Sequence, residues 1–218
     1  MKQDNLTEQA IFVIKNAIIM GELKLGEAIS EVGICNKYNL SKTPVREALV
    51  ILSHEELVNK VARKGCFVFD ITLSEIEELA ELRYLLEEFA IKKSLKNDKI
   101  NLKNDLKNIY QEMVISYNEK DYAKFVDIDT KFHQAFFKYT NNEHLIRNYE
   151  KISCKIQTLR FYVSKKALED VQTLKSHEII LDAILNEDMG LLSENLNQHF
   201  ISWLNKYKLN FKIGLQDN

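Results

Sequence analysis

The sequence predicts a mainly α protein: an N-terminal helix-turn-helix followed by a small β-hairpin, then a C-terminal all-α antiparallel helix bundle. Three observations predict it. Only six glycines and one proline occur in 218 residues, which leaves little room for turn-rich β-structure. Apolar residues recur at three-to-four spacing through most of the chain, the period of a helix face. A single pair of short alternating runs, residues 57–62 and 66–69, flanks a turn containing glycine, which reads as one hairpin.

Bulk properties narrow the class. The length suits one large domain or two small ones. A net charge of −2 excludes a generally basic coat, so any nucleic-acid contact must come from a local patch. Cys35, Cys66 and Cys154 are odd in number and scattered, as expected of reduced thiols. No apolar run is long enough for a signal peptide or a membrane span. A soluble, cytoplasmic protein is expected.

In residues 5–20, Ile11, Ile14, Ala17 and Ile18 share one stripe, and Gly21 closes the helix. A second helix, about 30–38, starts with Ser30 as cap and Glu31 in its first turn, where a negative charge suits the helix dipole. Tyr38-Asn39-Leu40 makes a tight turn in which asparagine tolerates the left-handed conformation. The stretch Ser41-Lys42-Thr43-Pro44-Val45-Arg46-Glu47-Ala48-Leu49 then begins a third helix. Pro44 suits its first helical position, with Thr43 as the cap. Ala48, Leu49 and Leu52 face inward, leaving Lys42, Thr43 and Arg46 at the exposed N-terminal end. Two helices, a short turn and a helix with a polar N-terminus form a helix-turn-helix whose last helix suits a major groove. The hairpin after it is a wing, with Arg63, Lys64 and Gly65 at its turn. Residues 1–70 hold nine Lys/Arg and nine Asp/Glu, so tight binding to DNA is expected to need a dimer reading a two-fold site.

Residues 5–70 resemble the winged helix-turn-helix domain of the GntR family of bacterial transcription regulators. The resemblance rests on Gly21-x-x-Leu-x-x-Gly26, Ile29-Ser30-Glu31, Leu40 through Leu49, Leu52, Leu57-Val58 and Gly65-Cys66-Phe67-Val68. It implies DNA contacts from Thr43 and Arg46, and from Lys42 where arginine is usual. Asn39 stands where glycine is common, and Val32 where some members carry a DNA-contacting arginine, so that contact is not carried over.

After a brief junction, six helical stretches are expected at about 73–96, 99–119, 121–140, 142–164, 166–187 and 188–209, joined by short connections that favour antiparallel packing. Leu79, Leu82, Leu86 and Ala90 mark the buried stripe of the first. The domains are expected at 1–70, for DNA binding, and 71–218, for effector binding and dimerisation.

Three of the five histidines fall inside apolar helical segments. Asp129 and His133 are four apart on one helix and face the same way. His177 and His199 lie on two others. A histidine on an apolar face is more often a hydrogen-bonded core residue, yet one carboxylate and three imidazoles could converge on a divalent metal. Roughly 73–205 resembles the all-helical effector domain (FCD type) of the FadR subfamily, through Glu81-Leu82-Arg83-x-x-Leu86-Glu87, Asp129-x-x-Phe132-His133, Asn142-x-His144-Leu145, His177-x-x-Ile180-x-x-Ala183-Ile184 and His199. Six helices rather than seven resemble the VanR-like branch. The resemblance implies Asp129, His133, His177 and His199 as metal ligands, with zinc the first expectation and nickel or manganese alternatives. It also implies Arg83 near a small organic acid effector. An ordinary surface ion pair of Arg83 with Glu87 competes with that role. His54 and His144 receive no function.

A metal-dependent enzyme with an accessory DNA-binding module is the competing reading. Leu181 stands where H-E-x-x-H needs its second histidine, and no histidine here has a glutamate three before it, so metalloprotease and di-iron patterns fail. A constitutive DNA-binding dimer with a purely structural bundle is the third. The reading favoured is a ligand-responsive, dimeric transcription regulator, a repressor, whose partners are a double-stranded DNA operator and a small organic acid, with no membrane.

Overall fold

A computed structural model describes residues 2–167 and 171–214. Its described residues form eight helices and three strands, in two compact units: residues 1–72 with 153–161, and residues 73–152 with 162–218. No described helix is long and apolar enough to cross a membrane.

The first unit begins with α1 (Lys2–Ile19), which packs on α3 (Lys42–His54). Between them lie β1 (Ala28–Ile29) and α2 (Glu31–Tyr38). Ser30 caps α2 as expected, its hydroxyl accepting from Gly33 N–H at 3.0 Å. Asn39 takes φ 52° and ψ 45°, so the turn into α3 uses asparagine for the left-handed step. The start of α3 differs from expectation. Ser41, not Thr43, is the N-cap, and Pro44 sits at the third helical position. The fit holds because the first four helical N–H groups have no intrahelical acceptor, so proline forfeits nothing there.

The wing consists of β2 (Val58–Val61) and β3 (Gly65–Val68), paired antiparallel with Val58 opposite Val68 and Val61 opposite Gly65. Lys64 N–H closes its turn onto the Val61 carbonyl at 3.1 Å. Arg63 and Gly65 both adopt positive φ there, 63° and 106°. The sequence reading had no third strand. Ala28 and Ile29 pair with Phe67 and Cys66, a two-residue edge too short to leave a periodic signal. Ile14, Ile18, Val45, Leu49, Leu52, Leu57 and Val68 fill the core of this unit, and Cys154 joins them.

The second unit holds α4 (Leu73–Asn118), α5 (Tyr122–Ala135), α7 (Val171–Asn186) and α8 (Met189–Gly214), with α6 (Glu143–Ala167) contributing its ends. Asp98 breaks α4 with φ −155° and ψ 72°, and its carboxylate accepts from Asn101 N–H at 3.2 Å. Thus α4 is two helices meeting at a kink, which gives the six stretches expected. Residues 168–170, inside the expected fifth stretch, lie outside the described residues, and α5 ends earlier than expected, in a run of tight turns over 136–140. Asn142, Asp121 and Asp188 accept from the N–H groups of Leu145, Lys124 and Leu191. Each short connection therefore carries its own cap. The α4 helix packs on α5, α7 and α8 around Phe125, Phe132, Phe136, Ile180, Ile184, Leu192 and Phe200.

Candidate functional site

The buried face of α4 is where sequence and structure part. Leu82, expected inward, is 43% exposed. Leu79 and Ala90 face the core as expected, with Leu86 half-buried against it, and Ile76, Arg83, Glu87 and Ile91 join them. A guanidinium and a carboxylate thus share the core face with the apolar stripe. Arg83 Nε donates to Glu87 Oε1 at 2.7 Å, with the two side chains 1% and 0% exposed. This is not the surface ion pair considered above. Burial of two charges is tolerated only with further hydrogen bonds, and Glu87 has them. Tyr149 OH donates to Oε1 at 3.0 Å, and His133 Nδ1 lies 2.6 Å from Oε2.

Asp129, His133, His177 and His199 converge from α5, α7 and α8, each offering one ligand atom, all within 4.8 Å of one another. All four are at least nine-tenths buried. Hydrogen bonds beyond them orient the rings. His177 Nδ1 faces the Thr173 carbonyl at 2.7 Å. His199 Nδ1 faces Ser176 Oγ at 2.9 Å, while that hydroxyl donates to the Thr173 carbonyl. His133 Nδ1 faces the Glu87 carboxylate. In each ring Nδ1 meets an acceptor, so Nδ1 carries the hydrogen and Nε2 the lone pair.

That assignment tests whether a cation fits. His177 Nε2 is 2.8 Å from Asp129 Oδ1, close enough for the two atoms to share one cation. Metal bonds of about 2.0–2.2 Å to nitrogen and oxygen put opposite ligands no more than roughly 4.4 Å apart, close to the observed span. Burial holds His199 well below the usual imidazole range, with His177, His133 and Arg83 adding to the effect. It therefore stays neutral, the form that ligates.

Arg83 adjoins this cluster electrostatically. Burial lowers its pKa, but the charges of Glu87, Tyr149 and Asp129 outweigh that and leave it raised. Its Cζ lies 4.6 Å from the Phe200 ring centroid. Nε is bonded to Glu87, while Nη1 and Nη2, both buried, have no hydrogen-bond partner among the described residues. Two buried donors without acceptors are costly, and a carboxylate accepts from such a pair in parallel.

In the first unit, Lys42, Thr43 and Arg46 are exposed at the start of α3, and Arg63, Lys64 and Gly65 are exposed at the wing. Arg46 Nε is bound by Glu31 Oε2 at 2.8 Å while the side chain stays 65% exposed. That brace was not foreseen, although Glu31 had been placed in the first turn of α2.

Residues 6–68 match the gntR family of bacterial regulatory proteins, and residues 78–202 match the FCD domain. The chain belongs to the GntR family and carries an FCD domain. The gluconate operon transcriptional repressor of Bacillus subtilis is 27% identical over 194 residues, covering 87% of this chain and 79% of that one. Among solved structures, E. coli McbR/YncC superposes with a TM-score of 0.82 at 18% identity, covering 94% of this chain and 98% of that one. A GntR-type regulator from Rhodococcus sp. RHA1, described as putative, gives 0.77 at 20% identity over 92% and 96%. These likenesses support the winged helix joined to a helical effector domain. Family and relatives' names indicate a transcription regulator rather than an enzyme.

In this GntR-family chain, sequence reading named Glu87 as a partner of Arg83 but did not place Tyr149, Thr173 or Ser176 at the candidate site. Glu87 had one available signal: it is four residues after Arg83 on the same helix, so both point the same way. Tyr149, Thr173 and Ser176 carry none, because their relation to the cluster exists only after the helices pack. His144 is exposed, and its carbonyl accepts from Asn148 Nδ2.

Proposed function

We propose that this protein is a dimeric, ligand-responsive transcriptional repressor of the cytoplasm. Residues 1–70 would bind a two-fold operator, and residues 71–218 would dimerise and bind a small organic acid at a metal centre. The observation that carries the reading is the four-ligand cluster beside the buried, unpartnered Nη atoms of Arg83. Asp129, His133, His177 and His199 would hold a divalent ion, zinc first, with nickel or manganese the alternatives. The ion would supply a Lewis-acidic anchor for a carboxylate, and the Arg83 fork would fix that carboxylate's orientation.

Charge supports the same ligand class. Glu87 and Asp129 are negative, Arg83 is positive, and ligating histidines are neutral, so the buried cluster carries one net negative charge. A divalent ion reverses that, and one carboxylate neutralises it. The similarity to a gluconate operon repressor supports trying sugar acids first in a ligand screen. An acid with different affinity for two domain arrangements then shifts operator affinity by that difference.

On the DNA side, Lys42, Thr43, Arg63, Lys64 and Gly65 would position the unit on the backbone while Arg46 reads a base edge or phosphate. The neutrality of residues 1–70 argues that two copies bind together. An exposed stripe of Leu82, Leu85 and Phe89 on α4 supports a second copy of the chain as its partner. The test is selection of operator sequences from random DNA with the full chain, followed by affinity measurement for Arg46→Ala. Loss of roughly 1–3 kcal/mol of specific binding per site is expected, with an unchanged circular dichroism spectrum. Unchanged operator affinity removes Arg46 from recognition.

A further inference from the structure

We infer that Glu31 is a positioning residue for base reading: it holds the Arg46 guanidinium so that its two Nη groups meet a guanine of the operator. This rests on the Arg46 reading above and adds the base it selects and the residue that sets the choice. Both residues lie within the winged-helix unit.

An arginine on a helix surface has a long, rotatable stem, and its fork can turn to any phosphate or base edge in reach. Arg46 is 65% exposed, yet Nε donates to Glu31 Oε2 at 2.8 Å, from α3 across to α2. Among the described residues, Nη1 and Nη2 make no hydrogen bond. The guanidinium is therefore gripped at its side, with the pair of Nη groups at its tip left to donate. Two such donors match O6 and N7 of guanine, and no other base presents two acceptors in the major groove.

The next carboxylate in sequence does something different. Glu47 is turned to α1, where Thr7 Oγ1 donates to its Oε2 at 2.6 Å. Glu31 opens α2, whose N-terminus favours the ionised form. It also lines the cleft beside the wing with Lys60, Arg63 and Gly65, the face expected to meet phosphates. A carboxylate there opposes a polyanion, and exposed ion pairs contribute little to stability. What Glu31 supplies is direction. Fixing a rotamer-rich side chain before it binds strengthens binding by roughly 2–10-fold, and only for the base toward which it is fixed.

The test selects sites from a random duplex DNA library with the full chain and reads base preference position by position. The wild type is expected to select guanine at one position of each half-site, and Arg46→Ala to lose the preference at that position alone. Glu31→Ala is expected to cut the same preference roughly 2–10-fold and leave the other positions unchanged. Glu31→Gln keeps an acceptor oxygen for Nε and is expected to retain most of it. Ser30→Ala removes the α2 cap, which accepts from Gly33 N–H at 3.0 Å, without touching the pair. It is expected to lower the denaturant midpoint and keep the guanine preference, separating positioning from helix stability. An unchanged guanine preference in Glu31→Ala overturns the inference. So does tighter guanine binding by that variant, which would make Glu31 a competitor of DNA for Arg46. A loss spread evenly over all positions, the same loss in Ser30→Ala, or another base at the Arg46-dependent position also overturns it. If Arg46→Ala leaves every base preference unchanged, the Arg46 reading itself fails and the inference falls with it.

Discussion

Replacing Glu87 with alanine tests the buried network without invoking any ligand. The substitution leaves the Arg83 guanidinium, 1% exposed, without its counter-charge. It also leaves His133 Nδ1–H and the Tyr149 hydroxyl without the acceptor they share. Removing one partner of a buried pair costs about 3–5 kcal/mol, and each hydrogen bond lost to the charged carboxylate about 1.5–3 kcal/mol before relaxation. Water entering the space left by the side chain recovers part of this. A net loss of about 3–5 kcal/mol is a large share of the roughly 5–15 kcal/mol that holds a domain folded. With a urea slope of about 1–3 kcal/mol per molar, the midpoint falls by roughly 2 M. The chain has one tryptophan, Trp203, on α8, so its fluorescence follows the helical unit alone. The measurement is made with chelator on both proteins. Glu87→Gln, which keeps one acceptor oxygen, is expected to lose less than the alanine variant. A midpoint shift for Glu87→Ala below a few tenths molar would mean that the network is solvated, and the reasoning from burial fails.

Further outcomes follow from particular residues. Burial pushes the Cys154 thiol up to about 12 from an ordinary 9.0; at pH 8 a thiol reagent should therefore label Cys35 and Cys66 quickly and Cys154 only on unfolding. Because the unfolded chain ionises first, the stability Cys154 contributes is complete below pH 9 and lost as pH rises toward 12. A Cys154→Ala variant should show a shallower alkaline loss, read from denaturant midpoints between pH 8 and 10.5. Leu85, 59% exposed between Leu82 and Phe89, should yield monomers in sedimentation when changed to glutamate, and an unchanged dimer would move the interface to another face.

Much of this fold was legible because its signals are local. Ser30, Asn39, Asp98 and Asn142 cap or break helices through their own backbone neighbours, and Gly65 meets a turn that needs positive φ. The start of α3 was misplaced because Ser41 and Thr43 are both competent caps and Pro44 tolerates any of the first helical positions. The candidate ligands could be named from Asp129 and His133 on one helix, but their meeting with His177 and His199 depends on packing. On α4 the expected stripe holds at Leu79, Leu86 and Ala90 and fails at Leu82, for a physical reason. Its core face also carries Arg83 and Glu87, whose burial is stabilised by each other and by His133, Tyr149 and Phe200 on other helices. Periodicity counts apolar residues and cannot register a charge buried by partners distant in sequence.

The most direct measurement is metal content per chain on protein purified without added metal and after reloading with zinc, nickel or manganese. An Asp129→Ala/His133→Ala variant serves as the control. The account predicts near one equivalent in the wild type and loss in the variant. No metal bound after reloading would contradict it, leaving three histidines as core residues and Arg83 as the place to seek the effector.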